Sequence, residues 1–255
     1  MLLPGVLEAF GLVLARTSAL VVTAPVLGLG ARFSGYKIGL IFSLSVVLYA
    51  VAGVPAVSDA GPVFYGMLML REILIGVFLG FILQLVTLAV RVGGELIGHE
   101  MGFMVARQVD PASGISTPLV TSVYENLFIL AFLALNGHHW LIRSLDESFA
   151  RAPIGSLSVG EGFAPTIKAM FGEMFGAGIM FAAPVMVFLV LVSILIGLLA
   201  RAVPTLNVLE VGFTIRVMVA MGAMFLFAPL LEPAMTGLHQ DFVAWLDRGL
   251  GALEG

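Results

Sequence analysis

MFGAGIMFAAPVMVFLVLVSILIGLLA, residues 174–200, carries no charged side chain between Glu173 and Arg201. A helix needs ~20 apolar residues to cross a hydrocarbon layer ~30 Å thick, so residues 176–199 of this run read as a membrane-crossing helix. Pro184 is expected to kink it, and Gly178 and Gly197 to loosen it. Outward from it lie five more apolar runs, at residues 6–27, 38–57, 63–90, 119–135 and 213–231. Together they predict an all-α integral membrane protein with about six long apolar, kinked helices. No linker or shift in composition divides residues 1–255, so a single domain is expected.

Composition leads to the same class. Hydrophobic residues make up 60% of the 255, charged residues only 11%, and mean hydropathy is +1.11, too little polar surface to cover a globule in water. The net charge of -4 comes from few charges of both signs, without the basic stripe that phosphate binding needs, so nucleic acid is not an expected partner. The absence of Cys excludes disulfides, thiolate metal sites and Cys nucleophiles, and leaves the redox compartment open. The N-terminal MLLPGVLEAF lacks a basic leader, and Arg16 interrupts the following apolar run, so no cleaved signal peptide is expected.

Lys and Arg divide between two sets of loops. Arg32, Lys37, Arg91, Arg107, Arg201 and Arg216 lie near one set, and Arg143, Arg151, Lys168 and Arg248 near the other. The positive-inside rule makes the first set cytoplasmic. Between the fourth and fifth apolar runs, Trp140, Leu141, Leu145, Ser148 and Phe149 fall near helical spacing and read as a short amphipathic helix at the membrane interface. Leu238, Phe242, Trp245, Leu246 and Leu250 repeat that pattern near the C-terminus.

Catalytic chemistry finds no support in the residues. His99 and Glu100 open like a zinc-protease helix, but the position of the second imidazole is Phe103. His138 and His139 are adjacent and diverge on a helix, which makes them poor co-ligands. Ser113 before Gly114 has no His in an apolar helix to act as base. Gly28, Gly30 and Gly35 follow an apolar run far too long for a dinucleotide-fold strand. No metal, cofactor or catalytic residue is therefore expected, and the chain is not read as an enzyme.

Charges inside the apolar runs are more informative. An ionised side chain at mid-bilayer costs at least ~2.5 kcal/mol, so Arg16, Arg71, Glu72 and Glu125 are expected to face protein or water. They would either staple helices or line a proton or substrate path. In the first run, roughly ten Leu, Val and Phe residues contribute some -4 kcal/mol to insertion, and Arg16 cancels about 3. That helix inserts only if Arg16 finds a partner. Arg71 and Glu72 project ~100° apart on a helix, so the expectation is that each meets a different element or subunit rather than the other.

Glycines recur four apart, at Gly76 and Gly80, at Gly94, Gly98 and Gly102, and at Gly172 and Gly176. Such spacing puts them on one helix face, where a partner backbone can approach closely. The Met and Phe residues crowded into 170–186 read as packing.

One polar interruption stands apart. QVDPASGISTP, residues 108–118, is short, rich in breakers and nearly uncharged, yet sits between apolar runs. Asp110, Pro111, Ser113, Gly114 and Pro118 prevent a continuous helix, while Met101, Phe103, Met104, Val105 and Ile115 keep the stretch fairly apolar. Irregular backbone survives at membrane depth only when protein surrounds it or it lines a cavity. Two readings stand: a re-entrant segment that obstructs a conduit, or an ordinary cytoplasmic turn.

Several stretches, taken together and in order, resemble the FliR family of flagellar export-gate proteins and its injectisome relatives. They are Arg16 with Pro25 and Lys37, the run MGFMVARQVDPASG from Met101, the NGH of Asn136 to His138, residues 148–153, and RAVPTLNVLEVG from Arg201. The resemblance covers nearly the whole chain. Its most specific parts are Arg201, Pro204 and Asn207 and the loop from Asp110 to Gly114, which with the NGH leans towards the flagellar branch.

The resemblance implies a non-enzymatic subunit of the type III protein export gate. Such a subunit joins FliP-like and FliQ-like chains in a helical assembly, with a FlhB-like chain associated, around the pore through which unfolded proteins leave the cytoplasm. It implies kinked helical hairpins in a core raised out of the bilayer, so that the apolar helices need not each cross lipid. It also implies that the loop projects into the pore as a plug. That plug would comprise Met104, Val105, Ala106 and Arg107, then Gln108, Val109, Asp110, Pro111 and Ala112, then Ser113, Gly114 and Ile115. The alternative is a small secondary transporter, in which broken helices and buried charges also meet near a midplane site.

Overall fold

The computed structural model describes residues 5–25, 35–51, 53, 61–102, 119–154, 162–203 and 208–253. Among these, every regular element is helical: α1 (Val6–Thr23), α2 (Gly35–Val51), α3 (Pro62–Glu100), α4 (Leu119–Ala134), α5 (Gly137–Arg151), α6 (Phe163–Ala202), α7 (Val208–Leu226) and α8 (Leu231–Gly251). A short 3-10 turn, Ala228–Leu230, joins the last two. Three helices, α1, α3 and α6, are long and apolar enough to cross a membrane, and up to five spans result if α4 with α5 and α7 with α8 each form one broken span. The second apolar run gives only the 17-residue α2. The loop at 103–118, which includes every proposed plug residue, and Pro204 and Asn207 lie outside the described residues.

Local chemistry sets the helix ends. Ala24 is extended, with its N–H on the Leu20 carbonyl at 2.8 Å, and Pro25 offers no N–H to continue α1. Pro62 takes the first position of α3, where its missing donor costs nothing. Gly102, at φ 88°, closes α3 by donating to His99 O at 3.0 Å. Asn136, between α4 and α5, sits at φ 58°. It is the one non-glycine residue with positive φ among those described, which gives the Asn-Gly pair of the NGH stretch a conformational role.

The chain clusters into two units. The first comprises Met1–Val86, Leu133–Phe171 and His239–Gly255; the second comprises Thr87–Phe132 and Gly172–Leu238. In the first unit, α1 and α3 run side by side in the same direction. Tyr65 Oη donates to Glu8 O at 3.1 Å at one end, and Gln84 Nε2 donates to Thr23 O at 2.8 Å at the other. Gly76 and Gly80 lie between these contacts: a Cβ at Gly76 would strike the Arg16 carbonyl and Ala19, and one at Gly80 would strike Thr23. On α8, Gly249 plays the same part against Phe78 and Ile82 of α3.

The two sequence-predicted interfacial helices have most of their apolar stripes buried in protein, with Trp140 left exposed. Leu141, Leu145 and Phe149 of α5, and Phe242, Trp245 and Leu246 of α8, are buried within the first unit. Amphipathic periodicity identifies a face that avoids water without identifying what covers it, and here the protein's own helices do so.

In the second unit, α3 continues ten residues beyond the apolar run that ended at Val90. Hydropathy stops where Arg91, Gly93 and Gly94 enter, but close packing maintains the helix. Gly93 abuts Gly178 and Phe181 of α6, and Gly94 abuts Thr121 of α4. Tyr124 meets Phe181 edge to face at 5.0 Å. Only 22% of the apolar window of α6 is buried, against 61% for α3, so α6 presents most of its surface outward. α6 is one uninterrupted helix that includes Pro184.

The glycines therefore differ in role. Gly76, Gly80 and Gly94 are close-approach points, Gly98 is buried, and Gly102 is a helix terminator whose Cβ position is 3.3 Å from the Phe213 ring. Gly172 and Gly176, in contrast to the expectation of close helix packing, have nothing within 4 Å of their Cβ positions. Alanine at Gly172 is expected to stabilise the chain by ~0.5–1 kcal/mol through helix propensity. Alanine at Gly76 is expected to destabilise it by ~1–3 kcal/mol, because a backbone carbonyl must move. Thermal unfolding of the two variants in detergent checks this opposition of sign.

Candidate functional site

The charges within the apolar helices form two clusters. In the first, the Arg16 side chain is wholly buried against α3 and the end of α5. Its Nε lies 2.6 Å and its Nη2 2.5 Å from Glu72 Oε2. Its remaining donors reach Ser148 Oγ at 2.9 Å and Ala152 O at 2.8 Å, and its guanidinium lies over the Phe149 ring at 4.2 Å. A planar, five-donor cation suits this position, because it can pair with a carboxylate, satisfy a hydroxyl and a carbonyl, and stack on an aromatic ring at once.

The same carboxylate holds a second cation. Arg71 Nη1 donates to Glu72 Oε1 at 2.9 Å and to Pro153 O at 3.1 Å. This corrects the expectation that neighbouring Arg71 and Glu72 could not pair. The ~100° between them describes where their Cβ atoms leave the helix, and the long Arg side chain folds back across that angle. The carbonyls at 152 and 153 follow the end of α5, where helical carbonyls lack backbone partners and attract cations. Arg16 and residues 148–153, two of the stretches that carried the family resemblance, thus converge on one buried cluster.

The second cluster is open. Arg91 Nε of α3 lies 2.5 Å from Glu125 Oε1 of α4, with the Arg91 side chain about half exposed and Glu125 about one-fifth exposed. The sequence reading isolated Glu125 but treated Arg91 as a loop charge, because the apolar run stopped one residue earlier. The partner follows from Gly94 on Thr121, which brings the two helices together one turn away. Exposed pairs contribute little, so Glu125→Gln is expected to lower stability by no more than about 1 kcal/mol in denaturant titration.

Among the other positions singled out in the sequence, Lys37 is buried on α2 and Arg201 is exposed in the last turn of α6. Sequence reasoning missed Phe149 as the ring beneath Arg16, and the Gly93–Gly178 contact, which falls outside four-residue spacing. It also missed the left-handed Asn136, although an Asn-Gly pair is a turn signal.

Residues 7–242 match the family described as Bacterial export proteins, family 1. The chain is 34% identical over 231 residues to the Flagellar biosynthetic protein FliR of Escherichia coli K12, covering 89% of this chain and 87% of that protein. It is 33% identical over 215 residues to the protein of the same name from Bacillus subtilis 168, covering 83% of each. With its helical architecture and a family match spanning nearly its whole length, the chain belongs to the FliR family of bacterial export proteins.

Proposed function

We propose that the chain is a non-enzymatic subunit of a flagellar type III protein export gate in the bacterial inner membrane, at the flagellar basal body. It assembles with FliP-like and FliQ-like subunits, with a FlhB-like subunit associated, and unfolded export substrates pass through the resulting pore. The loop from Met104 to Ile115 obstructs that pore when no substrate is in transit. The assembled core is raised towards the periplasm, which removes the need for every apolar helix to contact lipid.

The observation that carries this reading is the family match over residues 7–242, together with relatives named as flagellar biosynthetic proteins that align over more than four-fifths of both chains. The outward apolar surface of α6 supports it, since such a face requires lipid or another chain to cover it. The ends of the loop are compatible with a projecting segment: α3 stops at a left-handed Gly102, and α4 begins at Leu119.

Affinity purification from cells that also express FliP-like and FliQ-like chains tests the assembly. Recovery of all three in one stable complex is expected. Recovery of a lone chain that binds a small solute would instead support a secondary transporter.

A further inference from the structure

The Arg91–Glu125 pair is exposed at a level where its neighbours are apolar helices. Gly93 and Gly94, within one turn of Arg91, abut α6 at Gly178 and α4 at Thr121. Glu125 lies midway along α4, followed by uniformly apolar residues from Leu127 to Ala134, and sits beside the buried Phe128 and Phe132 rather than on the exposed face of Leu119, Val123, Leu127 and Leu130. An exposed ion pair among such helices is unfavourable against lipid and requires water or polar protein.

The pair also has company. Glu95 and His99 follow Arg91 at four-residue intervals, which places all three on one face of α3. Glu95 is part-exposed and His99 exposed. This face extends ~12 Å along the helix at 1.5 Å per residue, and reaches the last turn of α3, which ends at Glu100.

We infer that Arg91, Glu95, His99 and Glu125 form a hydrated polar lane on the wall of the export conduit, in contact with extended polypeptide in transit. This inference rests on the export-gate reading and adds the residues that meet the substrate. Its mixed composition suits that ligand. A cation, two carboxylates and an imidazole offer donors and acceptors to a peptide backbone and to side chains of either sign, without the single-sign field that would retain one class of segment.

The chain has no Cys, so a single thiol introduced into it is the only one it carries, and the complex with the unaltered chain gives the background. The test places Glu95→Cys or His99→Cys in the gate co-purified with FliP-like and FliQ-like chains and reconstituted in lipid. The probe is a membrane-impermeant maleimide. Ile194→Cys and Leu198→Cys, on the exposed apolar face of α6, serve as references.

The lane thiols are expected to react about ten-fold or more faster than the references, and to be protected when an export substrate is stalled in the gate. Slow labelling in an intact three-component complex would mean that the lane is buried in a subunit contact. That result would overturn the lane and leave the gate standing. Fast labelling unaffected by a stalled substrate would also overturn it. Failure of the three chains to co-purify would overturn the gate reading and the lane with it.

Discussion

Glu72→Gln is expected to produce the largest loss of stability available from one nearly isosteric change, ~3–5 kcal/mol, because it leaves two buried guanidiniums facing a neutral amide. Arg16 and Arg71 both pair with this one carboxylate, and neither the Arg16 nor the Glu72 side chain has any solvent exposure. Removing Arg16 is a lesser perturbation. Arg16→Ala leaves Arg71 and Glu72 as a neutral pair, and costs the packing over Phe149 and the hydrogen bonds to Ser148 and Ala152. Arg16→Lys keeps the charge but not the fork or the stacking, and is expected to fall between wild type and Arg16→Ala.

The ordering tests the mechanism. Thermal unfolding in detergent is expected to rank Glu72→Gln below Arg16→Ala, with a lowering of roughly 10 °C for the former. The double variant Glu72→Gln/Arg16→Met, which leaves Arg71 as the one cation of the cluster and so restores its net charge of +1, is expected to recover part of the loss. Glu72→Gln unfolding at the wild-type temperature would show that the cluster does not hold α1, α3 and the end of α5 together.

Much of this is legible in the amino-acid sequence, and the limits have physical causes. The apolar runs became helices because sustained hydrophobicity at this length leaves the backbone few other ways to satisfy its hydrogen bonds. Arg16 stood out as needing a partner because the cost of an unpaired charge in an apolar helix is a property of that residue alone. The partner's identity was not legible, since Glu72, Ser148 and Ala152 come from distant parts of the chain. The Arg71–Glu72 argument held in part, since Glu72 meets Arg16 and Arg71 meets the Pro153 carbonyl, but it missed their own pairing because helix geometry fixes where side chains start, not where a long flexible one ends.

Glycine spacing was informative only where a second helix supplied the contact. Gly76 and Gly80 face α1 and Gly94 faces α4, whereas Gly172 and Gly176, with the same spacing, face open space. The extension of α3 past Val90 was hidden because Arg91, Gly93 and Gly94 have the composition of a loop, and the contacts that keep them helical are tertiary. The export-gate reading came from motifs distributed along the chain, which apolar periodicity by itself would not have distinguished from a transporter.

The second large effect is expected at the loop. Its small and breaker-rich residues, Pro111, Ala112, Ser113 and Gly114, can fill a lumen without the rigidity of a helix, and an unfolded chain in transit can displace them. If this segment is the plug we propose, shortening it removes the obstruction and leaves the helices and the buried cluster in place. Deletion of residues 108–115 is therefore expected to preserve assembly and protein level, and to open a permanent path for ions. The most direct measurement is the ion permeability of liposomes containing the co-purified gate, with and without residues 108–115. The account predicts a sealed membrane with the intact loop and a marked leak without it; equal, low permeability in both would contradict it.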